Sequence, residues 1–279
     1  MKIFKKDTLA ILNVDDRYYK YPVNDWDRFI NRDNLYLYLT GLVDSLDPVG
    51  IGQGQLDITD PPMGTQEIWA AGVTYLKSKT ARMEEARQAG GDQFYNKVYE
   101  APRPELFYKA SRQRTVGHGD FVNIRKDSIW DVPEPELTLF INSQGSIEGY
   151  SIGNDMSSRS IEGENPLYLP QAKVYDRCAA MGPCLYVPAK PIASDSRINL
   201  QIHRKGQLLY EDSVSIDRMK RTHHELVNYL FLECSFPQGV FLMTGTCLVP
   251  PTQFTLKKGD MITISIENIG TLTNQVALR

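Results

Sequence analysis

Six short runs in the later part of the chain, FVNIR, ELTLFIN, IEGYSIG, INLQIH, QLLYEDSVSI and MITISIEN, are alternating or β-branched and are separated by turn residues. A period of two suits a strand with one buried face and does not suit a helix, so the sequence predicts mostly sheet after Phe107. Ser143-Gln144-Gly145 and Lys205-Gly206 fall where hairpins should turn. One stretch breaks the pattern: residues 220 to 235, KRTHHELVNYLFLECS, have helical apolar spacing. The expected class is α+β and mostly β.

The first part of the chain is patterned differently. LAILNV reads as a strand, NLYLYLTGLVDSL as a helix and DPVGIGQGQ as a glycine-rich turn, with a boundary near Asp60-Pro61-Pro62. Residues 1–62 are therefore expected to form a small N-terminal domain ahead of a catalytic domain at 63–279. The GIGQGQ run has Gln55 where a dinucleotide loop needs its third glycine, and no strand immediately precedes it, so it reads as a plain loop. From Thr80 to Tyr99, Met83, Ala86, Phe94 and Val98 have nearly helical spacing interrupted by Gly90-Gly91, which predicts two short helices over a mouth.

A net charge of −3, with basic residues scattered along the chain, offers no broad surface for phosphate backbones, so nucleic acid is not an expected partner. The apolar run near the N-terminus ends at Asp15 and Asp16, too short for a signal segment, and no stretch of 18 apolar residues exists to cross a membrane. Cys178, Cys184, Cys234 and Cys247 lack metal or redox spacing and are too few for a disulfide scaffold, which suits a reducing cytoplasm.

The segment WDVPEPELTLF carries chemistry. On a strand, Glu134, Glu136 and Thr138 point one way and Leu137, Leu139 and Ile141 the other. Pro133 and Pro135 lack N–H groups, which places the strand start at an edge or a mouth. Asp155 ends the next strand 19 residues after Glu136, and a hairpin would bring it back beside the two glutamates. Three carboxylates in one cleft repel unless one is protonated or a cation joins them, and oxygen-only ligation suits Mg²⁺, with Mn²⁺ or Ca²⁺ as substitutes. An isolated E-x-E is by itself more often a solvated pair, and Asp155 alone reads equally well as a turn or cap residue.

The runs PEPELTLF, GYSIGNDMSSRSIEGENPLYLPQAKVYDRCAAMGP and LKKGDMITISIENIGTLTNQV resemble the fumarylacetoacetate hydrolase superfamily over roughly residues 65 to 279. GVTYLKSK, RPELFYKA, VPEPEL and TGT are similar to its branch that dehydrates 2-keto-3-deoxy-D-arabinonate. The resemblance implies a catalytic domain of rolled mixed β-sheets, Glu134, Glu136 and Asp155 as Mg²⁺ ligands, and Lys173 and Glu105 beside a small 2-keto acid substrate. It also implies a homodimer or homotetramer. Many carbon–carbon bond hydrolases of the superfamily carry G-x-N-Y-x-x-H, whose histidine activates water from a lid. Here Gly72-Val73-Thr74-Tyr75-Leu76-Lys77-Ser78 puts Ser78 in that place, so dehydration is expected, with acylpyruvate hydrolysis or oxaloacetate decarboxylation as the alternative reactions. Lys173 is the expected proton acceptor and Glu105 the expected acid, or the two exchange roles. Tyr75, Ser78, Arg159 and Thr246 complete the expected substrate contacts, although Arg159 suits a structural ion pair equally well.

Overall fold

The computed structural model describes residues 1–50, 58–76 and 97–278. Most of the GIGQGQ run, Ser78 and most of the segment expected to form two helices over a mouth lie outside the described residues.

The N-terminal strands are β1 (Lys2–Lys6), β2 (Leu9–Val14) and β3 (Arg17–Pro22), followed by helices α1 (Trp26–Ile30) and α2 (Leu35–Val43). Next come β4 (Glu67–Gly72), β5 (Glu105–Ala110), β6 (Thr115–Val116), β7 (Phe121–Ile124) and β8 (Asp131–Val132). The hairpin β9 (Pro135–Ile141) and β10 (Ile147–Asp155) leads through β11 (Ser157–Ser158) to α3 (Arg159–Glu164) and α4 (Leu169–Lys173). Then follow β12 (Ala179–Tyr186), β13 (Arg197–Arg204), β14 (Gln207–Ser215), α5 (His223–Leu230), β15 (Val240–Met243), β16 (Met261–Ile266) and β17 (Gly270–Leu278). Each of the six alternating runs supplies a strand, and both expected hairpin turns join neighbouring strands.

The strands build a ten-stranded mixed sheet in the order β3-β2-β1-β12-β10-β9-β15-β4-β5, with β6 beside β12, and a five-stranded sheet in the order β14-β13-β16-β17-β7. The short strands β8 and β11 pair separately. The second sheet packs across the first where β13 meets β9 and β16 meets β10. Leu137, Leu139 and Ile141 on one face of β9 are fully buried, each stabilising the core by about 1.5–3 kcal/mol relative to exposure. On the other face Phe140 packs on Phe241 with ring centroids 5.0 Å apart.

The position of β9 is more central than its prolines suggest. It lies between β10 and β15, yet β15 pairs with it only from Thr138 onward. Pro135 therefore sits beyond the end of the β15 ladder, where a missing N–H costs nothing. The strand is a central one whose first residues open at a mouth.

β1 pairs with β12 through Ile3 opposite Leu185, so residues 1–22 extend the main sheet. Glu148 of β10 accepts hydrogen bonds from the backbone N–H groups of Asn34 and Leu35, satisfying the start of α2 from outside that helix.

Candidate active site

The β9–β10 register assembles the carboxylates. Gly153 lies opposite Glu136 and Asn154 opposite Pro135, and the Asp155 N–H donates to the Glu134 carbonyl at 2.9 Å. Oxygens of Glu134, Glu136 and Asp155 all lie within 4.8 Å of one another, and all three residues are buried.

Three cationic side chains reach this cluster. Lys173 Nζ, at the end of α4, donates to Glu134 Oε2 at 2.5 Å and to Asp155 Oδ2 at 2.9 Å. Arg159 begins α3, where Ser158 Oγ caps the helix by accepting from the Ile161 N–H, and its guanidinium donates to Glu134 Oε1 at 2.7 Å. Lys109 Nζ lies 2.5 Å from Asp155 Oδ1. Glu136 differs: its carboxylate accepts the Gly245 N–H at 2.5 Å, and among the described residues no cationic side chain ion-pairs with it. Burial, then the charges of Asp155 and Glu134, push the Glu136 carboxyl well above the usual range. Three buried carboxylates converging on one point, one of them with no ion-paired cation among the described residues, are a donor set that fits a hard divalent ion.

Strand β5 supplies the opposite wall. Glu105, Phe107 and Lys109 alternate onto one face, and Lys173 Nζ lies 5.6 Å from the Phe107 ring centroid. Glu105 is opposite Gly72 of β4, and a Cβ on Gly72 would come within 2.1 Å of Glu105 Oε2. The glycine leaves the room in which this carboxylate lies. Gly72, Phe107, Arg159, Lys173 and Thr246 line one cavity with the three clustered carboxylates.

The family model described as fumarylacetoacetate (FAA) hydrolase C-terminal matches residues 67–277. This chain belongs to the fumarylacetoacetate hydrolase family. A Haloferax volcanii protein named "Probable 2-keto-3-deoxyxylonate dehydratase" is 49% identical over 216 residues, covering 77% of this chain and 73% of the relative. A Saccharolobus solfataricus "2-dehydro-3-deoxy-D-arabinonate dehydratase" is 42% identical over 224 residues, covering 79% and 73%. Among solved structures, a 2-keto-3-deoxy-D-arabinonate dehydratase complexed with magnesium and 2,5-dioxopentanoate superposes with a TM-score of 0.83 at 34% identity, covering 100% of this chain and 98% of the other.

In this family member the remaining candidate residues take varied positions. Thr246 lines the cavity, and its Oγ1 accepts the Leu248 N–H at 3.2 Å. Tyr75 is buried with its backbone bridged to Met219, and it is not among the cavity-lining side chains; burial, then Cys247 and Glu136, raises its hydroxyl pKa. The histidines lie elsewhere. His118 Nδ1 accepts the Thr273 N–H, while His223 and His224 line a separate cavity with Glu148 and Tyr150. Burial, aided by His224, pushes His223 down to about 4.

Sequence reasoning missed Phe107, Lys109 and Gly245. The alternation of ELFYK carries the signal for the first two, since one strand face must hold Glu105, Phe107 and Lys109 together. Gly245 sits at φ +98°, and a Cβ there would meet Thr74 Oγ1 at 2.0 Å and the Ala71 carbonyl at 2.9 Å. Gly245→Ala is therefore expected to destabilise the protein by about 1–3 kcal/mol and to weaken divalent-ion binding by displacing the N–H that holds Glu136. Thermal unfolding and calorimetric titration with Mg²⁺ check the two effects, and unchanged values for both would show that the backbone absorbs the methyl group.

Asp131, three residues before Glu134, is buried and pushed up to about 6 by that burial. Its folded pKa exceeds the unfolded value, so ionisation above pH 6 costs stability and the cost vanishes as pH falls toward 4. Asp131→Asn is expected to stabilise the protein on the order of 1 kcal/mol at pH 8 and to make little difference at pH 4. Unfolding midpoints of both proteins at the two pH values test this, and an equal difference at each would count against it.

Proposed function

We propose that this chain is a Mg²⁺-dependent dehydratase converting 2-keto-3-deoxy-D-arabinonate, the same compound as 2-keto-3-deoxy-D-xylonate, to 2,5-dioxopentanoate and water. The observation that carries the reading is the buried trio Glu134, Glu136 and Asp155 with Lys173 against two of its members, in a chain 42–49% identical to relatives named as dehydratases of this compound class.

In this reading the three carboxylates hold Mg²⁺. When bound, the ion supplies Lewis-acid polarisation of the keto carbonyl and a seat for the 2-keto acid oxygens. Lys173, in its neutral amine form, accepts a proton from C3, and Glu105, which lines a second cavity with Arg103 and Leu169 and lies against Gly72 of the first, gives a proton to the hydroxyl departing from C4. Water leaves, proton transfer from C5 to C3 turns the unsaturated keto acid into a C4–C5 enol, and movement of the C5 hydroxyl proton to C4 gives the semialdehyde. The net change is the loss of one water molecule, with the five-carbon skeleton intact and no oxidant or reductant consumed. Phe107 and buried Arg159 exclude water from the carboxylate side, and Arg159 holds Glu134 in orientation. Thr246 offers a hydroxyl toward the substrate carboxylate.

The start of the family match at residue 67 supports reading residues 1–62 as an appended unit. The four cysteines, none in a disulfide among the described residues, support a reducing cytoplasm, and the family resemblance supports a homodimer or homotetramer.

The test couples 2-keto-3-deoxy-D-arabinonate turnover to an NADP-linked semialdehyde dehydrogenase. Signal lost in EDTA and regained with excess Mg²⁺ is expected. Folded, Mg²⁺-loaded protein that is silent here but turns over acylpyruvates or oxaloacetate would overturn the reading.

A further inference from the structure

Lys109 has no exposure to solvent and occupies the last rung of the β5 face that also carries Glu105 and Phe107. Its ammonium group donates to the Met156 carbonyl at 2.9 Å and to the Lys173 carbonyl at 2.5 Å, and lies 2.5 Å from Asp155 Oδ1. An ammonium group has three protons, and here it has three oxygen neighbours. They come from two chain segments: Asp155 and Met156 end β10 and follow it, while Lys173 ends α4. α4 is only five residues long and cannot fix its own last residue firmly. Lys109 ties its terminal carbonyl to the end of the hairpin that carries the carboxylates.

We propose that Lys109 is a positioning residue: from behind the cavity it sets the Asp155 carboxylate and the Lys173 side chain in register with each other. The proposal rests on the reading of the carboxylates as Mg²⁺ ligands and adds a residue that touches neither substrate nor ion. Nζ contacts one oxygen of Asp155, whereas Lys173 contacts the other, so the two lysines hold the carboxylate plane from opposite oxygens. Without Lys109 the carboxylate is free to rotate and the α4 terminus to shift.

Charge and position predict opposite results, which makes the idea testable. A lysine 2.5 Å from a ligand oxygen repels a divalent cation, so if Lys109 were only a counter-charge, Lys109→Met would bind Mg²⁺ more tightly. If it positions Asp155, Lys109→Met binds Mg²⁺ about 10–100-fold more weakly, the range typical for losing a partner of a ligand. The experiment is calorimetric titration of the full-length protein with magnesium chloride, with folding followed by near-ultraviolet circular dichroism, and kcat measured at saturating Mg²⁺. The expected result is weaker Mg²⁺ binding together with a kcat lowered at least tenfold even when the ion saturates, because Lys173 has also moved. Mg²⁺ binding that is unchanged or tighter overturns the proposal. Should Lys109→Met fail to fold, a crystal structure of the Mg²⁺-loaded wild type decides: Lys109 Nζ must remain on Asp155 and on the Lys173 carbonyl, and its withdrawal from both overturns the proposal. A wild-type protein that binds Mg²⁺ without dehydrating the keto acid would defeat the assigned reaction and leave the Mg²⁺ titration of Lys109→Met fully decisive.

Discussion

Replacing Lys173 with methionine is expected to lower kcat by about 10²–10⁴, the usual contribution of a positioned proton-transfer group, without weakening Mg²⁺ binding. The geometry sets the second half of that statement. Lys173 Nζ contacts oxygens of Glu134 and Asp155, so its removal takes a positive charge away from two ligands, while Arg159 still holds Glu134 and Lys109, anchored on two backbone carbonyls, still holds Asp155. Methionine nearly matches the length of the stem, so the side chain still fills the space beside Phe107 without the charge. Turnover in the coupled assay and Mg²⁺ titration separate the outcomes: Mg²⁺ affinity that collapses with kcat would show that Lys173 acts mainly by holding the carboxylates, and the proton acceptor would have to be sought at Glu105.

Glu136→Gln is expected to produce the opposite pairing of effects. Glu136 is the member of the trio with no ion-paired side chain among the described residues, and its charge is disfavoured by burial and by the two neighbouring carboxylates. A neutral amide removes that penalty while its oxygen can still accept the Gly245 N–H. The metal-free variant should therefore unfold at a higher temperature than the metal-free wild type, by about 2–4 °C for each kcal/mol relieved. It should also lose saturable Mg²⁺ binding and detectable turnover, because one of the three anionic donors is gone. A stabilised, inactive protein is the expected exchange where function requires a destabilising arrangement. Thermal scans in EDTA and with excess Mg²⁺ measure both halves, and a variant still stabilised by Mg²⁺ as strongly as the wild type would remove Glu136 from the ligand set.

The hairpin that builds the carboxylate cluster was legible in the sequence because its determinants are local. The strand period, the Ser143–Gly145 turn and the 19-residue spacing of Glu136 and Asp155 together define the register that the structure displays. The surroundings of the cluster were not legible from such signals. Lys173 and Lys109 look like ordinary surface lysines until α4 packs near β5, and nothing near either residue in the chain specifies that contact. Arg159 suited substrate binding and an ion pair equally well from sequence; its 2.7 Å contact with Glu134 exists because β11 and α3 fold back behind β9. Gly72 gave no warning that it leaves space for Glu105, since the two meet across strands 33 residues apart in the chain. The centrality of β9 was hidden for a similar reason: its prolines describe its first residues, while β15, which makes it central, comes about a hundred residues later.

The pairing of Ile3 with Leu185 decides what kind of border the main sheet shows to its surroundings. Without β1, the Leu185–Tyr186 end of β12 would present unpaired backbone groups next to a fully buried apolar strand, the kind of border along which separate chains zip together and precipitate. The N-terminal meander moves that border outward to β3, where Arg17 and Lys20 are exposed and Pro22 withholds a donor from any incoming strand. The first twenty-two residues thus exchange an apolar sheet border for one that is charged and ends in proline.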